Sequence, residues 1–239
     1  MRRKNLPNKV SPNPLLNSIV EIRFESNLQS DQLLNFYLNH FREDFPEILD
    51  HKLEPSGKPH RAKYHFFNEK FSILLGCDVI AFENRGDYMF WANYFPLIKD
   101  NLLKLNKACE ISKIDRVGIR YISFFENEVV SQDSLLVDNS FSFDGYERPD
   151  HFFRAAYSKE GVTILVQIPR NVVVEENERK RTGILIDIDV SKEQNIPQQI
   201  GQEFFDLIDF LHVEEKAMFF SLLSDTFLET LKPEYDDKS

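Results

Sequence analysis

Glycine is scarce in this chain, eight among 239 residues, and none of the eight falls in a G-x-G-x-x-G or G-x-x-x-x-G-K-[ST] pattern. Those patterns wrap backbone N–H groups around phosphates, so the common nucleotide-binding loops are excluded. Cysteine is scarcer still. Cys77 and Cys109 are the only two, and neither belongs to a C-x-x-C pair or to a Cys/His set of the kind zinc demands. Both read as reduced core residues. The six histidines, His40, His51, His60, His65, His151 and His212, show no H-x-x-x-H or H-E-x-x-H spacing, so no helical metal motif is present. No serine stands in a G-x-S-x-G turn, which leaves a serine hydrolase without its nucleophile elbow. No apolar run approaches the ~20 residues of a membrane helix, and no charged stretch followed by an apolar run opens the chain; a cytoplasmic location is the expectation. Positive charge is also in deficit, with 29 Lys and Arg against 39 Asp and Glu, a net charge of −10. Binding to nucleic acid or anionic membrane needs a basic footprint, and this balance disfavours both. The one basic cluster is N-terminal: Arg2, Arg3, Lys4 and Lys9 precede the first acid, Glu21, and read as a flexible, solvated arm over 1–12.

What the chain does have is the material for a core. Hydrophobic residues make up 42% of it, and 22 phenylalanines against one tryptophan suit half-buried strands and the inner faces of helices. The stretch 18–25 alternates Val20, Ile22 and Phe24 with Glu21, Arg23 and Glu25, the period of a strand with one wet face. Over 31–49, Leu34, Tyr37, Leu38, Phe41 and Phe45 form an apolar stripe at helical spacing, with Ser30 or Asp31 as the cap and a Pro/Gly loop at 55–59 beyond it. Strands are expected at 61–68, 70–77 and 79–85 as an antiparallel meander. A helix starting near Asn93, with Pro96 in its first turn, turns Leu97, Ile98, Leu102 and Leu105 inward.

At Lys113 the pattern restarts. Val20-Glu21-Ile22-Arg23-Phe24 returns as Val117-Gly118-Ile119-Arg120-Tyr121, an offset of 117 − 20 = 97. Arg61-Ala62-Lys63-Tyr64 returns as Arg154-Ala155-Ala156-Tyr157 at an offset of 93, and Phe71 to Leu75 as Val162 to Val166 at 91. Three matches in order at nearly one spacing are the residue of an internal duplication. A polar segment over 126–148, with a short helical turn at 134–137, replaces the long helix of the first half. Strands follow at 152–158, 161–168 and 183–190, with an exposed loop at 175–181. One helix then opens at Pro197 and turns Ile200, Phe204, Leu207, Ile208 and Leu211 inward. A last one over 213–231 carries Phe220, Leu223, Phe227 and Leu231. The expected fold is therefore α+β: a strand-helix-three-strand-helix unit, duplicated at 1–112 and 113–239, with both copies joined into one curved, mainly antiparallel sheet backed by helices and packed as one compact body. That plan resembles the saddle of TATA-binding-protein-like folds or a pair of helix-grip units, an architectural likeness that carries no function.

Four places carry a second resemblance: Pro14-Leu15 with Ile19-Val20-Glu21-Ile22-Arg23-Phe24; Tyr88-x-x-Trp91-x-x-x-Phe95; Val117-Gly118-Ile119-Arg120-Tyr121-Ile122; and Leu185-Ile186-Asp187-Ile188-Asp189. Together they resemble an uncharacterised, sporadically distributed bacterial family of about this size with no assigned activity. Its scattered distribution implies a mobile cassette, such as phage defence or a toxin and antitoxin pair. The family pattern has Asn after the Arg-Tyr-Ile segment, where this chain has Ser123.

Three constellations carry chemical interest. Arg23 and Arg120, on the strand face opposite the apolar sets, present a two-guanidinium cleft for an anionic ligand; the plainer alternative is that each pairs with a carboxylate such as Glu21, Glu25 or Asp187. Asp187 and Asp189 project from one strand face and, with Glu83, offer Mg²⁺ ligands or an acid and base pair, against a plain role as solvated groups or arginine partners. Tyr88 and Trp91, at a helix start, offer a stacking platform or a staple closing the core. No catalytic motif and no cofactor site is evident. The expected function is that of a non-enzymatic binding or interaction protein, an adaptor, sensor or neutralising partner acting on another protein. A metal-dependent phosphoryl-transfer or nucleic-acid-processing enzyme built on Asp187, Asp189, Arg23 and Arg120 is the alternative.

Overall fold

The computed structural model describes residues 5–27, 29, 32–51, 60–108, 111–127, 129–130, 133–137, 152–176 and 179–235. Cys109, His151, Arg2 to Lys4, the cap candidates Ser30 and Asp31, and the loop 55–59 lie outside them.

The alternating segment at the front of the chain is the strand β1 (Leu15–Ser26), and the segment that repeats it is β6 (Ile111–Glu126). They lie side by side, antiparallel, at the centre of the molecule. Val20, Ile22 and Phe24 of β1 and Val117, Ile119 and Tyr121 of β6 are buried on one face, as their two-residue period requires. Glu21, Arg23, Arg116 and Arg120 alternate onto the other. In the register, Val20 faces Ile119, Glu21 faces Gly118 and Ile22 faces Val117.

Outward from β1 the sheet continues through β5 (Val79–Asn84), β4 (Phe71–Leu75), β3 (Tyr64–Phe67) and the edge strand β2 (Glu47–Asp50). Outward from β6 it continues through β10 (Arg179–Lys192), β8 (Val162–Pro169) and β7 (Phe152–Lys159), while β9 (Val172–Glu176) pairs with the first residues of β10. Every pairing among these ten strands is antiparallel. The helices α1 (Leu33–His40), α2 (Trp91–Ala108), α3 (Gln202–Leu222) and α4 (Asp225–Thr230) share one face of the sheet. Tyr37 of α1 stacks on Phe66, Tyr94 of α2 meets Phe71 edge-on, and Phe219 of α3 and Phe227 of α4 both pack on Phe125. The protein is thus an α+β chain with one antiparallel sheet running through both halves.

Six expectations are corrected. The first helix is short, because Pro46 disfavours helical backbone at Phe45; the chain turns over 41–44 and adds β2. Its inner stripe is Leu33, Phe36 and Tyr37, so Leu34 and Leu38 point to solvent. Leu97 likewise lies outside the inner stripe of α2, which is Tyr94, Ile98, Leu102 and Leu105. Residues 175–176 and 179–181 are paired strand rather than loop, since the β-branched run Val172-Val173-Val174 pairs with Gly183, Thr182 and Arg181 and the ladder continues through Glu175 and Glu176. At the C-terminus one helix runs unbroken through Val213. The break comes at Leu223 and Ser224, whose hydroxyl accepts from the Phe227 N–H and caps α4. The turn expected at 134–137 is instead a bridge, with Leu135 paired to Leu223.

Tyr94 ties α2 to the sheet. It is fully buried, and its hydroxyl lies 2.7 Å from the Phe82 carbonyl and 3.1 Å from that of Ser18, on adjacent strands. Tyr94→Phe strands those carbonyls in an apolar setting and should lower unfolding free energy by about 1–2 kcal/mol, read as a lower urea midpoint at unchanged m-value.

Candidate functional site

On the open face of the sheet the residues singled out in the sequence are engaged with one another. Arg120 donates two bonds to Asp187, from Nε at 2.8 Å and Nη2 at 2.7 Å, and Gln167 adds a third contact to the same carboxylate. Arg23 donates to Glu21 at 2.8 Å. Arg116, which the sequence reading passed over, lies between them: its Nη1 donates to Glu21 at 3.0 Å and its Nη2 to both oxygens of Asp189 at 2.8 and 2.9 Å. Burial pushes the Asp189 carboxyl up, against the pull of Arg116. Arg23 faces Arg116 across the strands, and Arg120 sits four residues further along β6, about 13 Å at the rise of a strand. The two arginines therefore do not meet across a cleft. Glu83 lies level with Asp189 but with β1 and β6 between them, and its neighbour is the Ser72 hydroxyl. Burial raises its carboxyl. Among the described residues, no three His, Cys, Asp or Glu side chains converge as a metal site would require.

The helical face presents a different chemistry. A cavity of about 530 Å³ opens between the N-terminal strap, the start of α2, β6 and the middle of α3. The strap is residues 8–15, and backbone bonds hold it. The Asn8 N–H donates to the Glu234 carbonyl at 2.7 Å, Ser11 to Leu231 at 2.7 Å, and Phe124 of β6 to Pro14 at 2.8 Å. Lys9 and Val10, from the segment read as a free arm, belong to it; Lys9 forms a bridge with Glu234 and Val10 is buried. At the mouth, Phe90 adopts φ 59°, a left-handed backbone that a bulky residue reaches only under constraint.

Tyr88 and Trp91 both line this cavity. Tyr88 is not a surface platform: its hydroxyl lies 2.9 Å from that of Tyr121, and burial pushes it up to about 12. Trp91 is sandwiched between Phe95 and His212, with ring centroids 4.8 and 4.0 Å away, and its Nε1 donates to Asp209 at 2.6 Å. Only its edge is free to meet a ligand.

Two residues the sequence reading did not nominate dominate the cavity. His212 is 9% exposed, its Nδ1 has no hydrogen-bond partner, and burial drives its pKa down to about 3, so the ring is neutral. Glu215 is 2% exposed and has no hydrogen bond or ion pair among the described residues; burial pushes it up to about 8, only partly offset by Lys216. Burying a polar group without a partner is costly, which makes His212 and Glu215 the candidates for a site. No family model matches this chain, and no curated protein matches it.

Proposed function

We propose that this chain is a non-enzymatic binding protein, a sensor whose small-molecule ligand occupies the cavity between the strap, α2 and α3. The observation that carries the reading is Glu215, a carboxyl sunk without a partner into a cavity that is mainly apolar and of the size that holds a drug-sized molecule. The arginines and aspartates of the open face support no rival site, since each guanidinium already holds a carboxylate there.

The architecture supports a duplicated, saddle-like origin for this cavity. An offset of 97 converts the pair Val20–Ile119 into Val117–Ile22, which is itself a pair, so the central register is consistent with a twofold axis through Glu21 and Gly118. Following the pairings outward, Ile80 corresponds to Val190, Leu75 to Ile164 and Tyr64 to Tyr157. The last keeps the offset of 157 − 64 = 93, while the third repeat becomes 164 − 75 = 89, two residues from the sequence alignment and on the same face. In this reading α2 and α3 are equivalent helices, each following the last strand of its unit, and the cavity exists only where the copies meet. A ligand there would bear on how the halves sit, which suits a sensor that reports to a partner.

The test uses Nile red, an uncharged dye that brightens in apolar surroundings. It should bind the native chain and change the fluorescence of Trp91, the only tryptophan. Ser123→Leu, which fills the buried floor of the cavity, should weaken binding at least tenfold while the urea midpoint stays close to native. Dye binding unaffected by Ser123→Leu, or none at all, would remove the cavity as the site.

A further inference from the structure

We infer that the ligand of this cavity is an organic cation, a primary or secondary ammonium compound with an apolar body, taken up by the Glu215 carboxylate; this deepens the binding reading above and rests on it. The argument is one of hydrogen-bond supply. Two groups that the cavity leaves without partners among the described residues, Glu215 and His212, can accept hydrogen bonds. An ionised carboxylate accepts and never donates, and the neutral imidazole of His212 carries one acceptor nitrogen. Tyr88 and Tyr121 share one hydroxyl proton, which leaves the pair one O–H and its lone pairs. Three nearby N–H donors are engaged: Lys216 Nζ donates to Asn8 Oδ1 at 3.1 Å, Lys9 pairs with Glu234, and Trp91 Nε1 serves Asp209. A ligand rich in N–H and carrying positive charge favours the ionised form of Glu215, whereas an anion would oppose that ionisation.

The walls agree with the floor. Tyr88, Phe90, Tyr121 and Phe219 line the cavity, and aromatic faces attract ammonium groups, most of all where water is excluded. The charged and titratable groups around Glu215 come from every packed element: Tyr88 before α2, Tyr121 from β6, Lys9 from the strap, and Asp209, His212 and Lys216 from α3. Of these, Lys216 is close enough to hold the Glu215 carboxyl down, yet burial still leaves it near 8. An incoming ammonium would remove that penalty and drive the carboxyl to its charged form. Uptake should therefore release a proton below about pH 8.

The experiment displaces Nile red from the full-length chain with three matched probes: 2-phenylethylamine, 2-phenylethanol and 3-phenylpropanoate. The amine should compete at least tenfold better than the alcohol at pH 8, and the carboxylate should compete worst. Between pH 6 and 7.5 the amine's affinity should rise by close to tenfold per unit, while the alcohol's stays flat. In Glu215→Gln the amine should fall to the level of the alcohol and lose its pH dependence, each probe being read against the dye affinity of that variant. If the dye binds but amine and alcohol compete equally, or the carboxylate wins, the cation inference is overturned and the cavity reading survives. Failure of the dye itself overturns both.

Discussion

Glu215→Gln should abolish the contribution of this carboxyl to stability, which drains away as pH rises from about 4.5 to about 8 and lowers the net stability of the native chain above about pH 6.5. The sign follows from proton counts. In the unfolded chain this carboxyl ionises near 4.5, while in the folded chain burial holds it protonated until about 8. Between those values the folded state binds more protons, so its advantage is fully present below 4.5 and drains away as pH climbs. A difference of that size corresponds to roughly 4 kcal/mol by pH 8, an upper figure because water can reach a group lining a cavity. Glutamine keeps the shape and carries no charge. Its amide is still under-bonded in the cavity, which returns about 1–2 kcal/mol, so the net gain at pH 8 should be about 2 kcal/mol. His212 acts in the opposite direction. Its pKa is depressed from 6.5 to about 3, so its contribution is present above 6.5 and lost as pH falls through that interval. The native chain should be most stable near pH 5 to 6, and the variant should hold a plateau up to pH 8. Urea unfolding at pH 5, 6.5 and 8 decides the matter: identical slopes for the two chains would mean that Glu215 is not buried as described.

A carboxyl that costs stability at neutral pH does not serve folding, and stability lost at a site is in keeping with the binding role proposed above. The stability test is independent of ligand identity. It measures whether the cavity floor is dry and unpaired, the premise on which the proposed ligand recognition depends.

The sheet was legible because its signals are local. The two-residue alternation of Val20, Ile22 and Phe24 and of Val117, Ile119 and Tyr121 states which side is buried, and all six are. The cavity was not legible, and the cause lies in one helix boundary. With a break placed near Val213, His212 reads as the end of one helix and Glu214-Glu215-Lys216 as the solvated start of another. In the unbroken α3 the order is Phe204, Ile208, Leu211, Glu215, Phe219, one apolar stripe at spacings of three and four with a carboxylate in the middle. That interruption was the available signal. The strap was missed for a different reason. Its attachment is made by backbone bonds from Asn8 and Ser11 to Glu234 and Leu231, at the far end of the chain, and no side-chain pattern records such bonds. Arg116 escaped notice because the repeat drew attention to Arg23 and Arg120; position 116 corresponds to Ile19 at the offset of 97, so the copies themselves do not flag it.

Arg116→Met should destabilise the protein by about 2–3 kcal/mol, because it leaves the half-buried Asp189 carboxylate without its nearest counter-ion. The Arg116 side chain is 11% exposed, against 34% for Arg23 and 44% for Arg120, and it alone spans three strands, from Glu21 on β1 to Asp189 on β10. Methionine fills the stem but not the fork. Glu21 keeps Arg23 as a partner; Asp189 loses both of its bonds. Pairing Arg116→Met with Asp189→Leu should recover most of the loss, since removing both members of a buried pair costs far less than removing one. Gly118 tests the same group from below. A Cβ at that position would lie 2.8 Å from Arg116 Cζ, so the guanidinium rests where any other residue would put its side chain. Gly118→Ala should therefore cost about 1–3 kcal/mol in the native chain by pushing the fork off its carboxylates, and clearly less once Arg116 is methionine. Additive losses in that cycle would show that Gly118 serves the backbone alone and that the fork does not hold the central strands together.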